Sequence, residues 1–218
     1  MEKRILEEEL EDLQNNVLRM GALVEKALYE STRALLEDHA DLAEQVIAAD
    51  DSIDSLNTEI QDQCVRLLAL RQPMAGDLRA IKTDLQIAMD LERMGDYSES
   101  IAKAALRLHG ERTIHKLHYL PQMVELVREM AHNFITAYDL ADIDLARSAA
   151  LLEDAIDKLY KESFQSLTDM IKADPSTAAT AIQLLLAGAH LERIADHATN
   201  IGESVIYMVT GLRANLND

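Results

Sequence analysis

LERMGDYSESI at residues 91–101 returns as LERIADHATNI at residues 191–201. Each copy carries Glu-x-x-x-Asp, so Glu92 and Asp96 share one face of a helix, as do Glu192 and Asp196. The repetition extends outward. Met20 to Glu59 lies on Met123 to Glu162 without a gap, matching Leu23, Val24, Asp41, Leu42, Asp54 and Leu56 with Leu126, Val127, Asp144, Leu145, Asp157 and Leu159. The offset changes by three residues between the two blocks, near Gln72-Pro73 and Asp174-Pro175, where a turn absorbs the difference. The chain therefore reads as one helical unit duplicated, with repeat 1 over 1–110 and repeat 2 over 111–218.

Seven Gly and three Pro in 218 residues leave little to break helices, and the scarcity of aromatics makes Leu, Ile, Val, Ala and Met fill the core. The spacing predicts six long helices, over 5–36, 40–70, 75–109, 116–138, 142–172 and 176–211. Val46, Ile53, Leu56, Ile60 and Leu67 form the apolar stripe of the second helix. Ile87, Leu91, Met94, Ile101, Ala105 and Leu108 form that of the third. Short connections make neighbouring helices antiparallel. The expected fold is all-α, two tandem antiparallel three-helix bundles related by internal pseudo-symmetry.

A net charge of -18 disfavours nucleic acid and anionic membrane surfaces and favours cations or basic protein partners. One cysteine, Cys64, gives neither a disulfide framework nor a thiolate metal site, and it reads as a small core residue. The start MEKRILEEEL enters a charged helical pattern without an apolar leader, and the expected location is the cytoplasm.

The carboxylates carry the chemistry. Asp50 and Asp54 stand four apart on the second helix, as Glu92 and Asp96 do on the third, and the turn at Pro73 lies midway between the two pairs. An antiparallel hairpin closing there brings all four to one height, roughly 30 Å from the turn at about 1.5 Å per residue. Glu153 and Asp157 face Glu192 and Asp196 in the same way about Pro175. A single such pair is ordinary helix surface. Two facing sets under one internal symmetry favour cation binding, because four carboxylates at one level repel unless they share a cation or splay into water. An all-oxygen donor set suits Mg, Mn, Ca or Fe, and a structural Zn site is less natural. His197, beside Asp196, adds an imidazole that Tyr97 replaces in repeat 1. Arg93 and Arg193 stand at i+3 spacing to Asp96 and Asp196, as surface partners or as groups orienting metal ligands.

Glu129-x-x-His132 supplies the spacing of carboxylate-bridged di-iron bundles once, but Lys26 and Tyr29 occupy the repeat-related positions. A metal-storage or redox bundle is thus the alternative of a different class. No Gly-rich phosphate loop, nucleophile elbow or Cys-His arrangement occurs, and the chain is not expected to be an enzyme.

The run QPMAGDLRAIKTDLQIAMDLERMGDYSESIA, followed by LERIADHATNIGESVIYMVTG, resembles the PhoU family, accessory proteins of the phosphate-specific transport system. The likeness spans nearly the whole chain, including the Gln-Pro turn and Asp77-Leu78-Arg79; in repeat 2, Ala178 and Ala179 stand in place of that motif. The resemblance implies multinuclear metal clusters, one on Asp50, Asp54, Glu92 and Asp96 and one on Glu153, Asp157, Glu192 and Asp196. The ions are divalent or trivalent, from Fe, Mn, Mg, Ca or Zn. It further implies negative regulation of the phosphate (Pho) regulon, with the phosphate ABC transporter's ATPase subunit and a sensor histidine kinase as partners. A homodimer is expected, with recruitment to the inner membrane face through those partners. An accessory subunit of another phosphate permease is the remaining alternative.

Overall fold

The computed structural model describes residues 2–111 and 119–216, with side chains from residue 5. Helices α1 (Glu2–Glu37), α2 (Ala40–Arg71) and α3 (Ala75–Arg107) form the first bundle. Helices α4 (Tyr119–Leu140), α5 (Ile143–Ala150), α6 (Glu153–Ala173) and α7 (Ala178–Thr210) form the second. The expected start of the fourth helix, at residue 116, lies outside the described residues. Connections are short. Asp38, Gln72 and Ala141 each take a left-handed conformation just past a helix end, the position usually held by glycine. At Gln72 the following Pro73 reinforces the stop, since a residue before proline is driven out of the right-handed helical region.

The expected fifth helix is divided. At Leu151 and Leu152 the backbone stays right-handed, but its hydrogen bonds tighten to Ser148 O (3.3 Å) and Ala149 O (3.1 Å), and the axis restarts at Glu153. Repeat 1 has Ala48-Ala49 here and runs straight through α2. Leu152 packs against the core while Leu151 is left exposed, whereas repeat 1 places only two exposed methyl groups here. Glu153 and Asp154 then occupy the first turn of the new helix, where its positive end favours acids. The expected last helix also starts two residues later, after a 3₁₀ turn at Pro175–Thr177 whose first N–H is capped by the Asp174 carboxylate.

Within the first bundle α3 packs on α1 and α2; α7 packs on α4, α5 and α6 in the second. The bundles meet where α3 lies on α7 and α1 on α4. The α3–α7 pair is antiparallel, as Arg107 to Gln183 (3.2 Å), Asp90 to His197 (2.9 Å) and Thr83 to Ser204 O (3.5 Å) show. Every apolar stripe residue named for the second and third helices is buried, and so is Cys64, whose thiol is pushed up to about 12 by burial. Close approach is set by small residues. A Cβ on Gly202 of α7 would stand 2.1 Å from a ring carbon of fully buried Phe134 on α4.

One polar contact crosses the junction of the bundles in the dark of the core. The Tyr138 hydroxyl of α4 donates to the Asp84 carboxylate of α3 at 2.7 Å, both residues being almost fully buried. Desolvation drives the Asp84 carboxyl up to about 6, partly offset by that hydrogen bond, and pushes the Tyr138 hydroxyl upward as well. Among the described residues no helix is long and apolar enough to cross a membrane.

Candidate metal centres

Helix α2 brings Asp50 and Asp54, one turn apart, against the Asp96 side chain of α3. One carboxylate oxygen from each lies within 4.8 Å of the others. The turn at Gln72–Met74 sets this register, and Gly95 clears space for it: a Cβ there would stand 3.2 Å from Ile53 and 3.6 Å from an Asp50 oxygen. Glu92, the fourth residue of the expected set, lies outside that triad, with Arg93 holding Glu92 at 3.4 Å and Asp96 at 3.0 Å.

Electrostatics reflect the crowding. Burial raises Asp50 to about 6, with Glu99, Asp54 and Asp96 adding repulsion and Lys103 relieving it. Burial also raises Glu92, helped by Asp96 and Asp54 and opposed by Arg93 and His197. A cation bound at these oxygens would have to displace protons from them. The donor set fits a hard cation, since three carboxylates converge on a half-open surface with no thiolate or imidazole among them.

Glu99 was not singled out from the sequence. It stands three residues after Asp96 and seven after Glu92, a spacing that keeps it on the same helix face, and Lys103 ion-pairs with it. Its counterpart in repeat 2 is Thr199.

The second set is arranged differently. Burial raises Glu153, Glu192 and Asp196. Asp157 repels all three, and Asp196 repels both Glu153 and Glu192, so the four face one another across α6 and α7. Yet they do not gather as the first set does; the triad of repeat 1 is the one such convergence among the described residues. Glu153 instead accepts a hydrogen bond from Thr199 at 3.0 Å, and Lys161 lies 3.4 Å from Asp157. Arg193 does not form the ion pair with Asp196 that Arg93 forms with Asp96. Its guanidinium sits 5.7 Å over the Tyr97 ring, and Tyr97 in turn stacks on His190 at 5.6 Å.

A polar clasp joins α3 to α7 beside the two sets. The buried Asp90 carboxylate of α3 receives His197 at 2.9 Å and Asn200 at 3.2 Å, both from α7, and Gln86 at 3.2 Å. From the Asp90–His197 contact, residues 92–96 of α3 lie level with 191–195 of α7, so the two sets flank one seam. His197 is among the neighbours that offset the upward shifts of both Glu92 and Asp196. His132, weighed as part of a di-iron motif, pairs with Glu25 of α1 at 2.9 Å.

Comparison with known proteins agrees with this architecture. The PhoU domain matches residues 17–105 and 120–205. The chain is 38% identical over 219 residues to the phosphate-specific transport system accessory protein PhoU homolog of Clostridium acetobutylicum, spanning all of both chains. It is 38% identical over 208 residues to the homolog of Pseudomonas aeruginosa, covering 93% of this chain and 84% of that protein. Among solved structures, PhoU from Pseudomonas aeruginosa superposes with a TM-score of 0.89 at 36% identity, covering 94% of this chain and 99% of that one. The phosphate transport system regulatory protein PhoU from Streptococcus pneumoniae does so at 0.89 and 31%, covering 96% and 99%. In sequence, in its repeated helical unit and in three-dimensional fold, the chain belongs to the PhoU family.

Proposed function

We propose that this chain is a non-catalytic regulator of phosphate transport that holds the phosphate regulon off when phosphate is plentiful. It contacts the ATPase subunit of a phosphate ABC transporter and a sensor histidine kinase at the cytoplasmic face of the membrane. The observation that carries this reading is 38% identity over the full length of both chains to a protein described as a phosphate-specific transport system accessory protein PhoU homolog. Such a regulator works by differential affinity: a rigid helical surface that binds one conformation of its partner better than another shifts the partner's equilibrium by that difference.

The carboxylate sets are the metal centres of this reading. Asp50, Asp54, Glu92 and Asp96 form one and Glu153, Asp157, Glu192 and Asp196 the other, taking Mg, Mn, Ca, Fe or Zn ions. The border between the repeats falls near residue 110. The converged triad and its raised carboxyl groups support cation binding at the first set, where a cation neutralises mutual repulsion. Bound metal changes the charge that this face offers a partner.

Deleting the gene tests the regulatory reading. Alkaline phosphatase expression should become high in phosphate-rich medium, and unchanged repression would refute the role. Calorimetric titration of Mn²⁺ into wild type and into the Glu92→Ala, Asp96→Ala double variant tests the first centre, and equal binding by both would remove it.

A further inference from the structure

The groove between α6 and α7 does not end at its carboxylates. A Cβ on Gly188 of α7 would stand 3.5 Å from the Tyr160 ring and 3.8 Å from Ser163 Oγ of α6, so Phe164 stands level with the turn of α7 that holds Leu186. Ile182 lies one turn before Leu186 on the same face. Phe164 is 54% exposed, Ile182 51% and Leu186 43%, whereas the chain's other phenylalanine, Phe134, is fully buried. The fold does not require this patch. At the repeat-related positions repeat 1 carries Gln61, Lys82 and Gln86. Repeat 1 does expose Val65 and Leu78 near its own turn, but Lys82 stands one turn from Leu78 there.

Further along the same groove come Asp157 and Glu192, then Glu153 and Asp196, spread over two turns rather than converging as Asp50, Asp54 and Asp96 do. The chain's own cations leave most of these acids unmatched. In repeat 1, Arg93 pairs with Glu92 and Asp96, and Lys103 with Glu99. In repeat 2, Lys161 lies 3.4 Å from Asp157, but Arg193 rests over Tyr97, and among the described residues Glu153, Glu192 and Asp196 make no ion pair. Acids spaced over two turns match lysines or arginines on successive turns of a helix better than they match one ion. From Ile182 to Asp196 the groove spans fourteen residues of α7, about 21 Å at about 1.5 Å per residue, or four turns of a helix laid along it. Clustered apolar side chains beside a charged strip are the recognition pattern of an amphipathic helix.

We propose that the α6–α7 groove docks one basic amphipathic helix of a protein partner. The helix sets its apolar side chains on Phe164, Ile182 and Leu186 and its lysines or arginines on the carboxylates beyond them. The acids beside the patch repel an anionic lipid surface, which leaves a basic protein segment as the occupant. The proposal rests on the reading of this chain as a regulator that acts by binding, and it supplies the chemistry of the partner. Metal ions would use the same oxygens as the partner's cations, so the test is made without metal.

Fluorescence anisotropy provides the test, with the full-length, EDTA-treated protein titrated into a labelled synthetic helix of about 18 residues, leucine along one face and lysine beside it. Saturable binding of one peptide per chain at physiological salt is expected. It should weaken roughly tenfold or more in the Phe164→Ser, Ile182→Ser variant and in the Asp157→Asn, Glu192→Gln variant, and stay unchanged in Val65→Ser, Leu78→Ser. The first variant alters only exposed side chains, so the fold survives it. No saturable binding, equal binding by wild type and both groove variants, or equal binding of a peptide with glutamate in place of lysine would overturn the proposal. Two other results would also overturn it by naming a different occupant. Sedimentation of wild type as a dimer and of Phe164→Ser, Ile182→Ser as a monomer assigns the patch to a second copy, and pelleting with phosphatidylglycerol vesicles that the same variant loses assigns it to lipid. Loss of repression on gene deletion together with no peptide binding sinks the groove and leaves the regulatory role, and the opposite pair of results does the reverse.

Discussion

Replacing Asp84 by asparagine isolates the buried contact between the two bundles. Asp84 is 3% exposed, and its carboxyl is raised from 3.8 to about 6 by desolvation, even though Tyr138 donates to it. The folded state therefore holds this proton more tightly than the unfolded chain. The stability it contributes is fully present below pH 3.8 and is lost as pH rises through about 6. At about 1.4 kcal/mol per pH unit, that displacement corresponds to roughly 3 kcal/mol. Asparagine keeps a carbonyl oxygen for the Tyr138 hydroxyl but cannot ionise. The stability of Asp84→Asn minus that of wild type should therefore rise by roughly 3 kcal/mol between about pH 3.5 and about pH 7.5. Urea unfolding followed by circular dichroism in EDTA, repeated across that range, gives the difference directly. The other raised carboxylates, Asp50, Glu92, Glu153, Glu192 and Asp196, are present in both proteins and cancel. A difference that stays flat with pH, or falls, would refute the account of Asp84 as a desolvated acid.

Gly202→Ala should lower stability by roughly 1–3 kcal/mol, because its Cβ lands on the Phe134 ring. On the same helix, Gly188→Ala meets Tyr160 at an ordinary 3.5 Å and should stabilise by roughly 0.5–1 kcal/mol; thermal melts of both variants check the pair. Mn²⁺ affinity should fall as pH drops from about 7 to about 5.5, since Asp50 titrates at about 6 and must be ionised to ligate, and calorimetry at both pH values tests this. Thr199→Val frees Glu153 from its hydrogen bond and should strengthen cation binding at the second set, whereas Glu99→Gln should weaken it at the first; unchanged affinity in both would show that the two sets do not differ for these reasons.

The repeat written as LERMGD and LERIAD determined the helical class, the doubled bundle and the facing of α2 with α3, because helix period and turn position are local properties of the chain. The midpoints at Pro73 and Pro175 follow from the same locality. They do not decide how closely carboxylates converge. Asp50, Asp54 and Asp96 gather while their counterparts do not, and the counterparts stand beside a helix restart at Leu151–Leu152, a threonine in place of Glu99, and an arginine placed over Tyr97. Each of these depends on which side chains lie opposite, and that information belongs to the packing of one helix on another. Asp84 on Tyr138 and Asp90 on His197 are likewise pairings between the two repeats, far apart in sequence. Burial gives those acids their partners and raises the Asp84 carboxyl, and burial exists only once the first bundle has been laid against the second.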